Sequence, residues 1–324
     1  LKLFKKQKMI LVYTESENGL FKKKAFEALS YARALAKIEG NSSVIALAIN
    51  ADNVSELKKY GADKIILVKN EQLNNFVAKA YLSVIEQVAQ KENVKTILMS
   101  SSANTRYIAP MLAAKLDAAY LANIASLPEN GNFKKSTFSS KANAWFSVLS
   151  EKKVITLSNN CIELSESPTQ AQEVPFSVEL SEDLFDIKVK ETNKINTKIS
   201  LADASIVVAG GRGMQTPENW SLLEDFANAL GAATACTKPV SDMGWRPHSE
   251  HVGQTGKPIV ADLYIALGVS GAIQHIAGIN ASKVKVVINS DPEAPFFKVA
   301  DYGIVGNVLE ILPKLTEKIN QIKK

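Results

Sequence analysis

Two short polar runs carry the residues that could do chemistry in this chain. The first is Val252-Gly253-Gln254-Thr255-Gly256-Lys257. The second, Ser270-Gly271-Ala272-Ile273-Gln274-His275, follows the apolar stretch Leu263 to Val269. A buried strand that ends in Ser-Gly and opens a helix leaves backbone N–H groups unpartnered and a positive dipole end above the sheet. Gln274 and His275 fall in the first turn of that helix. Such a set suits a ligand that is anionic at one end and hydrogen-bonding along the other, and a nucleotide cofactor meets both conditions.

Neighbouring motifs narrow the chemistry. Gly211-Arg212-Gly213 opens like a dinucleotide fingerprint, but the third glycine would fall at Thr216, so the match fails. Gly256-Lys257 looks like the end of a phosphate loop, yet Pro258 stands where Ser or Thr is needed and the earlier glycine is missing. A Mg-nucleotide hydrolase is therefore disfavoured, and no nucleophile elbow or kinase signature occurs. Cys161 and Cys236 lie far apart, and His248-Ser249-Glu250-His251 does not match HExxH. Metal chemistry is not expected, and two free thiols fit a reducing, cytoplasmic setting.

The elements that must position these residues follow from pattern. The 324 residues, 46% hydrophobic and 22% charged, suit a globular protein of two domains. No apolar run approaches the roughly 20 residues of a membrane span, so direct membrane insertion is not expected. The net charge of +5 is mild and is concentrated in Lys2, Lys5, Lys6 and Lys8, which gives no reason to expect a nucleic-acid partner. Leu1 to Lys8 reads as an extension ahead of Met9, with neither the apolar core of a signal peptide nor the arginines of a transit peptide.

From Ile10 onward strands and helices alternate. Strands are expected at Ile10–Tyr13, Val44–Ile49, Ile65–Val68 and Thr96–Met99, and helices at Ala25–Ile38, Val54–Tyr60, Leu73–Gln90 and Arg106–Leu116. Residues Phe133 to Leu157 read as hairpins at a sheet edge, and Phe176 to Val189 as a further strand. Lys190 to Ser200 reads as a linker, which puts the boundary near Ile199 and gives domains 1–198 and 199–324. In the second, Thr216 and Pro217 read as the start of a helix through Leu230. Leu263–Val269, Val284–Ile288 and Gly303–Gly306 are further strands, and Val308–Ile319 a helix interrupted at Pro313. The fold class is α/β, each domain a mostly parallel sheet flanked by helices and the second doubly wound.

Five motifs now stand in order: Val207 to Gly213 followed by Thr216-Pro217-Glu218-Asn219; Gly253 to Lys257; Ser270 to His275; Asn289 to Pro295; and Val299 to Gly303. Together they resemble the alpha subunit of electron transfer flavoproteins, strongly over the second domain and more weakly over the first. The resemblance implies one FAD per alpha subunit, held by the C-terminal domain, and a heterodimer with a beta subunit. It implies a redox carrier without substrate chemistry of its own, taking electrons from dehydrogenases such as those oxidising acyl-CoA and passing them towards a quinone-reducing membrane enzyme.

The resemblance also implies roles. Thr255 would hydrogen-bond the flavin N5, and Gln254, beside Val252 and Gly253, would meet the ring or ribityl chain. His275, next to Gln274, would face the O2/N1 edge as a donor or imidazolium. Arg212 would touch a phosphate or the flavin edge. Ser270 with the amides of Gly271, Ala272 and Ile273 would cradle the pyrophosphate. Asn289 would meet the adenosine portion, and Asn307 and Val308 the adenine. Each has a plainer reading: a turn Thr, a structural His, a surface Arg, a capping Ser or Asn. Two departures stand out. Thr237-Lys238 replaces a frequent Ser-Arg, keeping hydroxyl and charge but losing the planar guanidinium, and Asn307 stands where Asp is frequent. The rival readings are a non-redox nucleotide-binding protein, an NAD-dependent oxidoreductase lacking its fingerprint, and a bifurcating flavoprotein that starts from NADH.

Overall fold

A computed structural model describes residues 8–40, 42–191, 201 and 203–323. The boundary expected near Ile199, most of the linker and Leu1 to Gln7 lie outside the described residues. The chain divides into two compact units, residues 1–136 with 143–194, and residues 137–142 with 195–324.

The N-terminal unit contains β1 (Met9–Tyr13), the small ribbon β2 (Ser16–Glu17) and β3 (Leu20–Phe21), α1 (Lys23–Ile38), β4 (Ser43–Ile49), α2 (Glu56–Lys59), β5 (Lys64–Val68), α3 (Ala78–Lys91), β6 (Thr96–Ser100) and α4 (Ala103–Leu116). There follow β7 (Ala119–Ile124), β8 (Phe133–Thr137), β9 (Ala142–Phe146), β10 (Lys153–Leu157) and β11 (Gln172–Pro175). Nine strands form one sheet in the order β11-β5-β4-β1-β6-β10-β7-β8-β9. Its central strands are buried nearly end to end, as expected where helices cover both faces. One face packs Leu11, Ile45 and Ile97 against α3 and α4, and the other packs Ile10, Val44 and Leu98 against α1 and α2.

Three expectations are corrected here. Asn70 caps a short 3-10 turn by accepting from the Gln72 amide, so α3 begins at Ala78 rather than Leu73. Residues 153–157 form a central parallel strand between β6 and β7, not an edge hairpin. The added edge strand is β11, one segment before Phe176–Val189; that later run contributes Phe176, Val178, Leu180, Leu184 and Phe185 as a partly buried cover on the α3 side.

The C-terminal unit runs β12 (Ile206–Gly210), α5 (Trp220–Leu230), β13 (Ala233–Cys236), α6 (Lys238–Asp242), β14 (Leu263–Leu267), α7 (Ile273–Ile279), β15 (Val284–Asn289), β16 (Tyr302–Val305) and α8 (Val308–Ile322). All five strands are parallel, in the order β13-β12-β14-β15-β16. The chain order reverses between β12 and β14, the switch point above which doubly wound sheets hold ligands at their strand C-termini. The helix after β12 starts at Trp220 instead of Thr216, because Gln215 takes φ +68° and Asn219 Nδ2 donates to the Met214 carbonyl. α8 continues through Pro313 to Ile322. Val308 and Leu312 bury, and Ile311, Leu315 and Ile319 pack on the same core, which offsets a proline cost of about 3 kcal/mol.

Candidate functional site

The ends of β12 and β14 are built from glycines so that two backbones can touch. The Gly211 amide donates to the Leu267 carbonyl (2.9 Å) and the Gly213 amide to the Gly268 carbonyl (3.0 Å). A Cβ on Gly213 would lie 2.5 Å from Gly268 Cα, and one on Gly268 would lie 2.6 Å from Gly213 Cα. Gly268 also holds φ +60°, a left-handed conformation that other residues adopt at a cost of about 1–2 kcal/mol. The chain after it turns again at Gly271, whose φ is +86° and whose Cβ would meet the Phe296 amide at 2.5 Å. The amides of Ser270, Gly271, Ala272 and Ile273 have no acceptor among the described residues. α7 is only seven residues long, so these loop donors, more than a long helix dipole, are what the turn offers an anion.

Above these ends lies a cavity of about 780 Å³, inside the usual range for small-molecule and cofactor sites, roughly 300–1,000 Å³. Of the residues expected from sequence, Arg212, Thr237, Lys238, Val252, Thr255, Ser270, Ala272, Gln274, His275 and Asn289 line it. Gly253, Gln254, Gly271 and Ile273 sit in the same loops but are not on its wall. Gly253 serves by close packing, since a Cβ on Gly278 would meet its Cα at 2.5 Å. The Gln254 amide donates to the Gln274 carbonyl (2.8 Å) and ties the Thr255 loop to α7. Asn307 and Val308 are not brought to the cavity. Asn307 caps α8, accepting from the Leu309 amide and donating to Glu310 Oε1, and Val308 is buried in the core below.

The charges around the cavity are mixed. Arg212, in the turn after β12, is exposed and has no acceptor among the described residues. Lys238 Nζ bonds Asp242 Oδ1 at 3.0 Å across one turn of α6, so part of its charge is already answered. Asn289 is buried; its Nδ2 donates to the Val269 carbonyl and its Oδ1 accepts from the Asp291 amide, which fixes the end of β15. His275 lines the cavity and is held by two bonds within the chain. Its Nδ1 lies 3.1 Å from the Val252 carbonyl and its Nε2 2.9 Å from the Tyr264 hydroxyl. Burial pushes its pKa down to about 4, against a smaller upward pull from Val252. That pKa favours the neutral ring at neutral pH, with both nitrogens engaged within the chain; of the two forms expected from sequence, donor or imidazolium, it disfavours the imidazolium.

Reasoning from sequence missed Gly211, Gly213, Gly268, Asp242, Asp291 and His251, all on the cavity wall. Gly268 carried a readable signal as the only glycine in the apolar run before Ser270. His251 was set aside because it matched no metal motif. It is 8% exposed, and burial is the largest cause of its lowered pKa, followed by Lys238.

Comparison with known proteins decides the family. Residues 10–182 match the electron transfer flavoprotein domain, and residues 200–280 match the electron transfer flavoprotein FAD-binding domain. An electron transfer flavoprotein subunit alpha from Bacillus subtilis is 35% identical, covering 97% of this chain and 98% of its own length. The chain belongs to the electron transfer flavoprotein alpha-subunit family. A second subunit alpha, from Thermoanaerobacterium thermosaccharolyticum, is 31% identical over 98% of this chain and 99% of its own. A probable mitochondrial subunit alpha from Caenorhabditis elegans is 34% identical over 87% and 86%.

The matched C-terminal region is of the FAD-binding type, and the structure suits that cofactor. A run of unaccepted amides at the switch point meets the needs of a pyrophosphate, and Arg212 and Lys238 supply positive charge at the same cavity. As a family the electron transfer flavoproteins are electron carriers, and no reacting pair of acid, base or nucleophile is needed for that work. Among the described residues, no group of three or more metal-ligating side chains occurs, and no helix is long and apolar enough to cross a membrane.

Proposed function

We propose that this chain is the FAD-bearing subunit of a heterodimeric electron carrier, completed by a beta-type partner. It receives electrons from dehydrogenases such as those oxidising acyl-CoA and passes them towards a quinone-reducing membrane enzyme. Cys161 and Cys236 form no disulfide, which suits a reducing, cytoplasmic compartment. The observation that carries the reading is the cavity at the β12/β14 switch point, with its free amides and cations, inside the region matching the FAD-binding family.

Bound FAD supplies the electron chemistry, and the chain supplies binding, orientation and charge. The Ser270–Ile273 amides are assigned to the pyrophosphate and Arg212 to a phosphate or the flavin edge. Thr237 and Lys238 complete the anion-facing wall, Thr255 is assigned to the flavin N5, and Asn289 to the adenosine portion. Because His275 is neutral with both nitrogens engaged, positive charge for a reduced flavin falls to Arg212 and Lys238. About 1.4 kcal/mol of such stabilisation corresponds to about 59 mV in a one-electron potential.

The test is reduction of the FAD-loaded complex by a catalytic amount of an acyl-CoA dehydrogenase and its substrate, followed by flavin absorbance. Bleaching that requires both supports the reading. A flavin that stays oxidised there but bleaches with NADH alone would replace it with the NADH-linked variant.

A further inference from the structure

Tyr264 is a central-strand residue with no assigned part in the cofactor site. It is the second residue of β14, is fully buried, and stacks parallel to Phe296, 6.5 Å between centroids and 5° between planes. Its hydroxyl points at His275 Nε2, 2.9 Å away, while His275 Nδ1 faces the Val252 carbonyl at 3.1 Å. A carbonyl only accepts, so Nδ1 must carry a hydrogen. In the neutral ring Nε2 then has none, and it accepts from the Tyr264 O–H. Both partners of the ring fix the direction Tyr264 to His275 to Val252: the Val252 carbonyl can only accept, and the Tyr264 hydroxyl supplies the hydrogen that holds the bare Nε2 in place.

Val252 is the last residue before the Gly253–Gly256 turn. That turn makes two further attachments to α7: the Gln254 amide to the Gln274 carbonyl at 2.8 Å, and the contact of Gly253 with Gly278. The His275 bond to Val252 is the side-chain member of this set, and it starts from the rigid centre of the sheet. We infer that Tyr264 is a positioning residue, which holds His275 in the Nδ1–H tautomer and through it fixes the loop that carries Thr255. The inference rests on the FAD reading only for its consequence; the tautomer is a property of the chain itself. An FAD bound in the cavity would meet a His275 ring whose N–H is turned away into the Val252 carbonyl.

The alternative to weigh is that Tyr264 simply fills the core. Tyr264→Phe separates the two, since it keeps the ring and its stack on Phe296 while removing one oxygen. The experiment is 15N NMR of the histidine rings in the full chain co-purified with its partner subunit, with and without FAD, for the natural sequence and for Tyr264→Phe. The three histidines are distinguished by a His275→Gln reference. The natural chain is expected to show one histidine as a pure Nδ1–H tautomer. In Tyr264→Phe that signal should move towards a mixture of tautomers, and FAD binding should weaken by about tenfold as the loop loses its anchor, the equivalent of one hydrogen bond. An Nε2–H tautomer in the natural chain, or an unchanged His275 signal in Tyr264→Phe, overturns the inference. A complex that takes up no FAD at all would count against the proposed function, and the ring spectra of the FAD-free protein would still decide the role of Tyr264.

Discussion

The two units share an architecture and differ at the ends of their strands. In the N-terminal unit, β1 and β6 lead into Thr14, Glu15, Ser100 and Ser102, all buried, with Thr14 donating to the Leu47 carbonyl and Ser102 closing a capping box with Thr105. In the C-terminal unit the corresponding places after β12 and β14 are Gly210, Gly211, Gly213 and Gly268. Only four of the chain's sixteen glycines, Gly19, Gly40, Gly61 and Gly131, lie in the first half. One parallel α/β sheet is sealed by side chains where the other is opened by their removal. The lesson is that the fold supplies a switch point, and residue choice at two strand ends decides whether a cofactor can reach it.

The strongest way to break this contrast is to restore a side chain at the open end. Gly268→Val puts a β-branched residue at φ +60° against Gly213. It should abolish FAD retention and destabilise the C-terminal unit by about 3 kcal/mol, combining overpacking with a left-handed strain. Flavin content and urea unfolding of the purified complex report both effects.

Acid should act on the open unit through His275. Its folded pKa, about 4, lies below the ordinary value of 6.5, so between those values the unfolded chain binds more protons than the folded one. The contribution of the neutral ring is fully present above pH 6.5 and is lost as pH falls towards 4, on the order of 3 kcal/mol at the limit. Urea midpoints recorded across that window should fall with acid, and the fall should be shallower in His275→Gln. Equal slopes would contradict the assignment.

Asn307→Ala sharpens the limits of the site. Loss of the α8 cap should cost about 1 kcal/mol and leave flavin content unchanged, because Asn307 caps a helix away from the cavity wall. A loss of flavin would restore the adenine role expected from sequence. Smallest in stability is Lys238→Met. The exposed pair with Asp242 is worth within about 1 kcal/mol, yet removing a cation from the cavity should lower the flavin midpoint potential, measurable by redox titration.

The fold class, the doubly wound second sheet and the two polar runs were legible because apolar strands and the apolar stripes of the helices announce themselves locally. What was not legible depended on tertiary contact. Residues 153–157 look like any short extended run, and only their partners β6 and β7 make them central. β13 and α6, four and five residues long, are too short for periodicity to register. Pro313 reads as a break until the buried face of α8 is seen to hold the helix together. In the site, the motif points to His275 but leaves its protonation open between a neutral donor and an imidazolium. Its low pKa comes from burial, and its Nε2 partner Tyr264, eleven positions earlier, reads in the sequence only as one more apolar strand residue. Gly213 and Gly268 were passed over because their purpose is mutual contact across 55 residues.

The most direct test of the account is the FAD content of the purified complex for the natural chain and for Gly268→Val, with circular dichroism to confirm that both are folded. One FAD per alpha-type chain in the natural protein, and none in a folded Gly268→Val complex, is the predicted result. Equal FAD in the two would contradict the claim that the glycine-opened end of the C-terminal sheet is the cofactor site.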